Sequence, residues 1–242
     1  MPQACVETFG LKDHFPQRFY IYPNRMHSPM LDAFVTTVKG FLMSPAEAFK
    51  QVGAKSLGAA YQYYAMLVLI FSILFGAVMM IMGSMMLNSH VQQIAMIPMV
   101  GTLLSTNLAK FGTFIATTQL FVAYVVFLAL LFGVFFVGIF LHFFVLLMDG
   151  KKGLEETLKT TMFAATPMLL IGWIPYVGAI GGVWSFVLLI LGFRDNNGLS
   201  LEKSVIAALL PVVLWWILMV LGLVVVSSFF GALQSLVPAI FK

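Results

Sequence analysis

One side chain inside the apolar part of this chain is suited to proton chemistry. His142 lies six residues before the end of the uncharged run 119–148, and it is the only ionisable group other than tyrosine well inside such a run. An intramembrane histidine is a default candidate for a proton relay or a ligand contact, because its charge changes near physiological pH. A relay needs a partner, and no carboxylate lies inside any apolar run. A neutral imidazole bonded to a hydroxyl such as that of Thr161 would satisfy the ring without any chemistry. Every Asp and Glu falls in a tail or a loop, so neither a carboxylate dyad nor a metal-assisted reaction is expected within the spans.

Other reactive residue types lack the neighbours that chemistry needs. Ser185 and Ser227 sit in apolar runs, but neither lies in a Gly-x-Ser-x-Gly elbow and no motif presents a base to either. Gly178, Gly181 and Gly182 are followed by apolar residues with no lysine, which points to close helix packing and not to a phosphate cradle. Cys5, His14 and His27 fit no zinc spacing. The 16 methionines are scattered, which suits adaptable packing more than copper binding. No catalytic residue, no metal site and no cofactor is expected, and an enzyme is the least favoured class.

The elements that hold these residues follow from composition. With 61% hydrophobic and 9% charged residues in 242, the chain has more apolar surface than one soluble core can hide, so it reads as a polytopic membrane protein. A single cysteine excludes a disulfide framework. A formal charge of +4 is too small to argue for nucleic acid, and most basic residues flank apolar runs, where anionic headgroups are the natural partner.

In chain order, residues 1–30 form a polar tail broken by Pro16 and Pro23, without the apolar core of a secretory signal. Residues 31–60 read as amphipathic cytoplasmic helices. Leu31, Phe34, Val35, Val38, Phe41 and Leu42 recur at helical spacing against Asp32, Thr36, Thr37 and Lys39. Ser44, Pro45 and Glu47 then form a capping signature that opens a second short helix, with Ala48, Phe49 and Val52 inward and Lys50 and Lys55 outward. Phe34, Phe41 and Phe49 with Lys39, Lys50 and Lys55 are therefore the candidate lipid or partner contacts; the same faces could also simply pack beside a bundle.

Spans are expected at 61–87, 119–148, 158–174, 177–193 and 205–230, with a C-terminal tail at 231–242. Residues 88–118, carrying His90, Gln92, Gln93, Asn107 and Lys110, read as an interfacial linker. The third and fourth spans form a hairpin interrupted by Pro167, Pro175 and four glycines. Thr166 can offer its hydroxyl to a carbonyl that Pro167 leaves free, and Gly178 with Gly182 forms a Gly-x-x-x-Gly face for close approach. Residues 194–198 read as a charged turn, Ser200 as a cap of the last helix, and Trp215 and Trp216 as packed at mid-depth. With the N-terminus cytoplasmic, eleven of the 13 Lys and Arg residues lie inside and only Lys110 and Lys242 outside. The fold expected is all-α: a bundle of five transmembrane helices in the cell membrane, N-terminus inside, C-terminus outside, preceded by the amphipathic region.

The leader Phe41-Leu42-Met43-Ser44-Pro45-Ala46-Glu47-Ala48-Phe49, the five spans, Ala164-Ala165-Thr166-Pro167 running into Ile174-Pro175-Tyr176-Val177-Gly178, Trp184, and Gly198-Leu199-Ser200 with Lys203 together resemble the Yip1 domain family over about residues 40–230. The resemblance implies a five-span protein. Eukaryotic members belong to the early secretory pathway and associate with Rab-type GTPases and with one another. Their Asp-Leu-Tyr-Gly-Pro motif is absent here, which argues against a GTPase partner, and the short tail and compact loops are more similar to archaeal or bacterial members. Two functions follow from the residues. The first is a non-catalytic membrane-organising or scaffolding subunit acting through lipids, other membrane proteins or self-association. The second is a small transporter or channel using the Pro- and Gly-broken hairpin, although no internal repeat is evident and few polar residues are available to line a pore.

Overall fold

The computed structural model describes residues 29–95 and 98–240. They form eight helices: α1 (Pro29–Met43), α2 (Pro45–Val52), α3 (Leu57–Ala95), α4 (Pro98–Leu147), α5 (Leu154–Ala164), α6 (Thr166–Ile171), α7 (Gly178–Asn197) and α8 (Leu201–Ile240). No strand occurs among the described residues. The chain divides within α1 into residues 1–35 and 36–242, and the packing below is that of the second unit. The polar tail proposed for residues 1–30 falls almost entirely outside the described residues.

Among the described residues, four helical segments are long and apolar enough to cross a bilayer: Leu57–Gly83, Ala116–Leu147, Gly178–Asn197 and Leu201–Phe230. The other expected crossing, 158–174, is instead two short helices, α5 and α6, that meet at Ala165. The stretch 88–118, expected to be a linker, is helical on both sides of residues 96–97: α3 runs on to Ala95 and α4 starts at Pro98. Between Gly83 and Pro98 there is no glycine or proline. Asn88, His90, Gln92 and Gln93 lower the hydropathy and end the span, yet nothing there ends a helix. Likewise 194–198 is not a turn: α7 continues to Asn197 and stops at Gly198, whose φ of 71° requires a residue without a Cβ penalty.

The other helix ends follow capping chemistry. Pro45 opens α2 as expected, but the Ser44 side chain makes no capping bond; only its carbonyl engages the helix, accepting from Ala48 N–H at 3.0 Å. The Ser200 hydroxyl accepts from Lys203 N–H at the start of α8. Helix α4 closes with Asp149 in the left-handed region (φ 64°). Gly150 N–H reaches Val145 carbonyl at 2.9 Å and Asp149 N–H reaches Leu146 carbonyl at 3.0 Å, the two bonds of a Schellman ending.

Helix α5 is the centre of the unit: every residue from Thr157 to Ala164 is buried. It packs on α3, α4 and α7, while α7 also contacts α2, α6 and α8. One aromatic cluster joins the N-terminal helices to this centre. The Phe41 ring stacks on Phe163 at 5.1 Å, meets Phe49 edge-on at 4.9 Å, and Tyr63 lies 5.3 Å from Phe163. A second cluster, Leu141, Phe144, Val145, Phe193, Leu199, Ala207 and Ala208, joins α4, α7 and α8. Phe41 and Phe49, candidates either for a lipid or partner contact or for packing beside the bundle, are wholly buried in it, where Phe41 stacks on Phe163 and Phe49 meets Phe41. Conversely, Trp215 and Trp216, expected to be packed, are 62% and 64% exposed on a helix whose residues 212–230 are exposed all round.

Candidate functional site

The sequence of α5, Leu-Glu-Glu-Thr-Leu-Lys-Thr-Thr-Met-Phe-Ala, would suit a surface helix, yet Thr157 and Thr160 are wholly inaccessible and Lys159 is only 4% exposed. Buried polar groups are costly without partners, so each must be accounted for. The turns 148–153 and 198–200 are short. They therefore bring the end of α4, the start of α5, the end of α7 and the start of α8 to one end of the bundle, where His142, Thr157 and Asn197 meet.

Asn197 Nδ2 donates to Thr157 Oγ1 at 2.7 Å, and Thr157 Oγ1 lies 2.9 Å from His142 Nδ1. The hydroxyl can donate to Nδ1 of an imidazole protonated at Nε2 or accept from Nδ1–H of the other tautomer, so both neutral forms fit the contact. The histidine partner is therefore Thr157, one turn before the expected Thr161, whose own hydroxyl turns back to the Thr157 carbonyl at 2.8 Å. One turn along, Asn196 Nδ2 donates to Thr160 Oγ1 at 3.1 Å. The second atom of the Asn197 carboxamide, Oδ1, is buried without a partner.

Lys159 lies among four oxygens. Its ammonium is 2.7 Å from Glu156 Oε1 and 3.7 Å from Glu155 Oε1, and it donates to the carbonyls of Lys55 at 3.2 Å and Gly53 at 3.5 Å. These contacts neutralise a buried cation and tie the α2–α3 connector to α5. Asp149 and Lys203 form an exposed pair between the α4–α5 turn and the start of α8, and the ammonium holds the Asp149 carboxyl below the usual carboxylate range, chiefly by its hydrogen bond.

At the other end of α5, Pro167 deprives the Phe163 carbonyl of its helical donor. The Thr166 hydroxyl replaces that donor at 2.6 Å, so the Tyr63 hydroxyl, 3.0 Å from Thr166 Oγ1, is the donor in their contact. Met168 N–H, at the start of α6, donates to Ser185 Oγ at 3.0 Å, which gives that serine a structural role. Pro175 and Tyr176 form the exposed hairpin turn, with Tyr176 in the left-handed region at φ 67°.

The glycine face is offset from the one expected. A Cβ on Gly178 would lie 2.7 Å from the Gly172 carbonyl oxygen, and one on Gly181 would lie 2.9 Å from that of Pro167. On Gly182 the nearest atom would be Met168 Sδ at 3.8 Å, an ordinary contact. Close approach therefore needs Gly178 and Gly181. Of the remaining candidates, Phe34 lies on α1, Lys39 and Lys50 are exposed, and Lys55 reaches Thr37 Oγ1 at 3.3 Å.

The sequence reading missed Thr157, Lys159, Thr160, Asn196 and Asn197. A signal was present: Thr157, Thr160 and Thr161 repeat at spacings of three and four beside a lysine, in a segment otherwise read as crossing a membrane. A family model described as Yip1 domain matches residues 39–226, well over half of the chain. No curated protein and no solved structure matches it.

Proposed function

Because this multi-pass membrane protein belongs to the Yip1 domain family, we propose that it is a non-catalytic subunit that organises a membrane or scaffolds a complex through helix and lipid contacts. One observation carries this reading: the polar groups of α5 turn to internal partners, while the outer faces of α4 and α8 offer apolar side chains such as Phe132, Phe136, Trp215 and Trp216. Such an arrangement holds a bundle rigid and leaves its binding capacity on the outside.

In this reading α5 and α6 together make a fifth crossing. Their 11 and 6 residues rise about 26 Å at about 1.5 Å per residue, near a hydrocarbon core of roughly 30 Å. The N-terminus is then cytoplasmic, the C-terminus outside, the host membrane the cell membrane of a prokaryote, and the partners are lipids, other membrane proteins or a second copy of the chain. Satisfaction of the Phe163 carbonyl by Thr166 argues against the transport alternative, since a helix broken for transport presents its freed carbonyls to the cargo.

Purification from the native membrane in gentle detergent, followed by mass spectrometry of what stays bound, tests the proposal. A reproducible protein partner is the expected result. A lone protein that supports ion or solute flux in liposomes would overturn it.

A further inference from the structure

The two limbs of the hairpin are shorter than a bilayer core, and the spans around them are longer. Sixteen positions separate Glu155 from Ile171 on the α5–α6 limb, and sixteen separate Gly178 from Arg194 on the α7 limb. Each limb rises at most about 24 Å at about 1.5 Å per residue, against a hydrocarbon core of roughly 30 Å. The charged ends belong at headgroup depth, because the Glu155 and Arg194 side chains are 58% and 37% exposed. Lys159, between Glu155 and the tip, does not move that boundary, since its charge is enclosed by Glu156 and two backbone carbonyls. The tip is placed as well: it carries Trp173 and the almost fully exposed Tyr176, residue types that settle at a membrane interface.

The hairpin cannot stretch to make up the difference. Its turn is closed by bonds from Gly172 N–H to the Met168 carbonyl at 2.7 Å and from Gly178 N–H to the Ile174 carbonyl at 2.9 Å. The limbs are held in register where Gly178 and Gly181 admit the backbone of Gly172 and Pro167, and where Met168 N–H donates to Ser185 Oγ at 3.0 Å. The spans of α3, α4 and α8 err the other way, with 27, 32 and 30 residues, or roughly 40, 48 and 45 Å. Even counted from Ser204, past Glu202 and Lys203, α8 keeps an uncharged run to Phe230 of about 40 Å, exposed all round from residue 212. A long helix relieves its excess by tilting, whereas a rigid short hairpin leaves the lipid to adapt.

We propose that the outer face of the hairpin, with Ile180, Val183 and Trp184, binds phospholipids of short acyl chain, while α8 takes chains of full length. The proposal rests on the reading of α5–α6 and α7 as crossings. The occupant follows from chemistry and length: Ile180, Val183 and Trp184 are exposed and apolar, so acyl chains cover them, and short chains bring the headgroups of both leaflets to Arg194 and to Tyr176. The protein then holds a step in bilayer thickness, a physical means by which it organises a membrane.

The four tryptophans let each surface be read separately. The full chain is reconstituted in mixtures of phosphatidylcholines with fourteen-carbon and twenty-two-carbon chains, one of the two brominated, and tryptophan quenching gives the relative affinity for each lipid. Trp215→Phe with Trp216→Phe leaves Trp173 and Trp184 to report on the hairpin; Trp173→Phe with Trp184→Phe leaves the α8 pair. The hairpin reporters are expected to favour the short lipid by about threefold or more, and the α8 reporters to show no such preference. The proposal fails if the hairpin reporters favour neither lipid or the long one, or if both sets favour the short lipid equally. Tyr176→Cys in a Cys5→Ser background, exposed to a water-soluble maleimide on both sides of short-lipid vesicles, shows whether the tip reaches water. A labelled tip with no lipid preference overturns the lipid proposal alone. An unlabelled tip removes the crossing and this proposal with it, and leaves the scaffold reading to the recovery of a partner from native membranes.

Discussion

Replacing Thr157 by valine exchanges a hydroxyl for a methyl of nearly the same volume, so its effect is almost purely that of hydrogen bonding. The change removes the acceptor of Asn197 Nδ2 at 2.7 Å and the partner of His142 Nδ1 at 2.9 Å. Asn197 is wholly buried and its Oδ1 already has no partner, so in the variant the entire carboxamide is stranded. Hydrogen bonds within membrane bundles are individually worth about 0.6–1.7 kcal/mol, and an orphaned buried polar group adds roughly 1–3 kcal/mol. His142 is only half-buried and can recover a water, so the Asn197 term dominates. Thr157→Val is therefore expected to destabilise by about 2–4 kcal/mol, and Thr157→Ser by much less, since it keeps the hydroxyl. Reversible unfolding of the detergent-solubilised protein, followed by circular dichroism, measures both. Asn197→Ala should cost little more when added to Thr157→Val, because the bond it breaks has already gone. A loss below about 0.5 kcal/mol for Thr157→Val, or strict additivity of the double variant, would refute the argument that this network holds the bundle.

Three further expectations follow from other contacts. Gly178→Ala should destabilise by about 1–3 kcal/mol, since its Cβ would press on the backbone of Gly172, whereas Gly182→Ala should be neutral or slightly stabilising through helix propensity; thermal melts of the pair decide whether the signs differ. Lys159→Met should release the α2–α3 connector and cost roughly 2 kcal/mol, read as faster tryptic cleavage after Lys50 and Lys55; unchanged cleavage would show that the ammonium does not hold the connector. The Asp149 carboxyl is held below its ordinary value, so its pairing with Lys203 contributes stability above the unfolded-state value near pH 4, and that contribution fades as pH falls through the lower folded value. Asp149→Asn should flatten that acidic limb slightly, the pair being exposed, and parallel pH curves for the two proteins would contradict the assignment.

What could be read from residues alone was whatever depends on local pattern. Long uncharged runs announced α3, α4, α7 and α8. The spacing of Ala48, Phe49 and Val52 identified the buried face of α2, and the Thr166-Pro167 pair anticipated a hydroxyl closing a freed carbonyl. What escaped depends on partners far along the chain. Thr157 and Asn197 are forty residues apart, and nothing local to either says that the other will satisfy it. Hydropathy also merges two questions, where a span ends and where a helix ends. These coincide at Leu147, where the charged turn with Asp149 stops both, and diverge after Leu87, where Asn88, His90, Gln92 and Gln93 lower the hydropathy but α3 runs on to Ala95.

The N-terminal helices carry the remaining step of the argument. A leader with an apolar face and lysines opposite looks separable from a bundle, an accessory for lipid or partner. Its rings say otherwise: Phe41 and Phe49 are wholly buried and lie against or beside Phe163, which belongs to the central helix. Burying two phenylalanines contributes about 3–6 kcal/mol before any aromatic geometry is counted, a large share of the roughly 5–15 kcal/mol that stabilises a typical domain. Deleting residues 1–57 should thus strip the core and not merely remove a contact surface. The family match, which begins at residue 39, two positions before Phe41, starts where this packing starts. The leader is then part of the folded unit. Any lipid or partner it engages meets α2 through its outer side, where Lys50 and Gln51 are exposed.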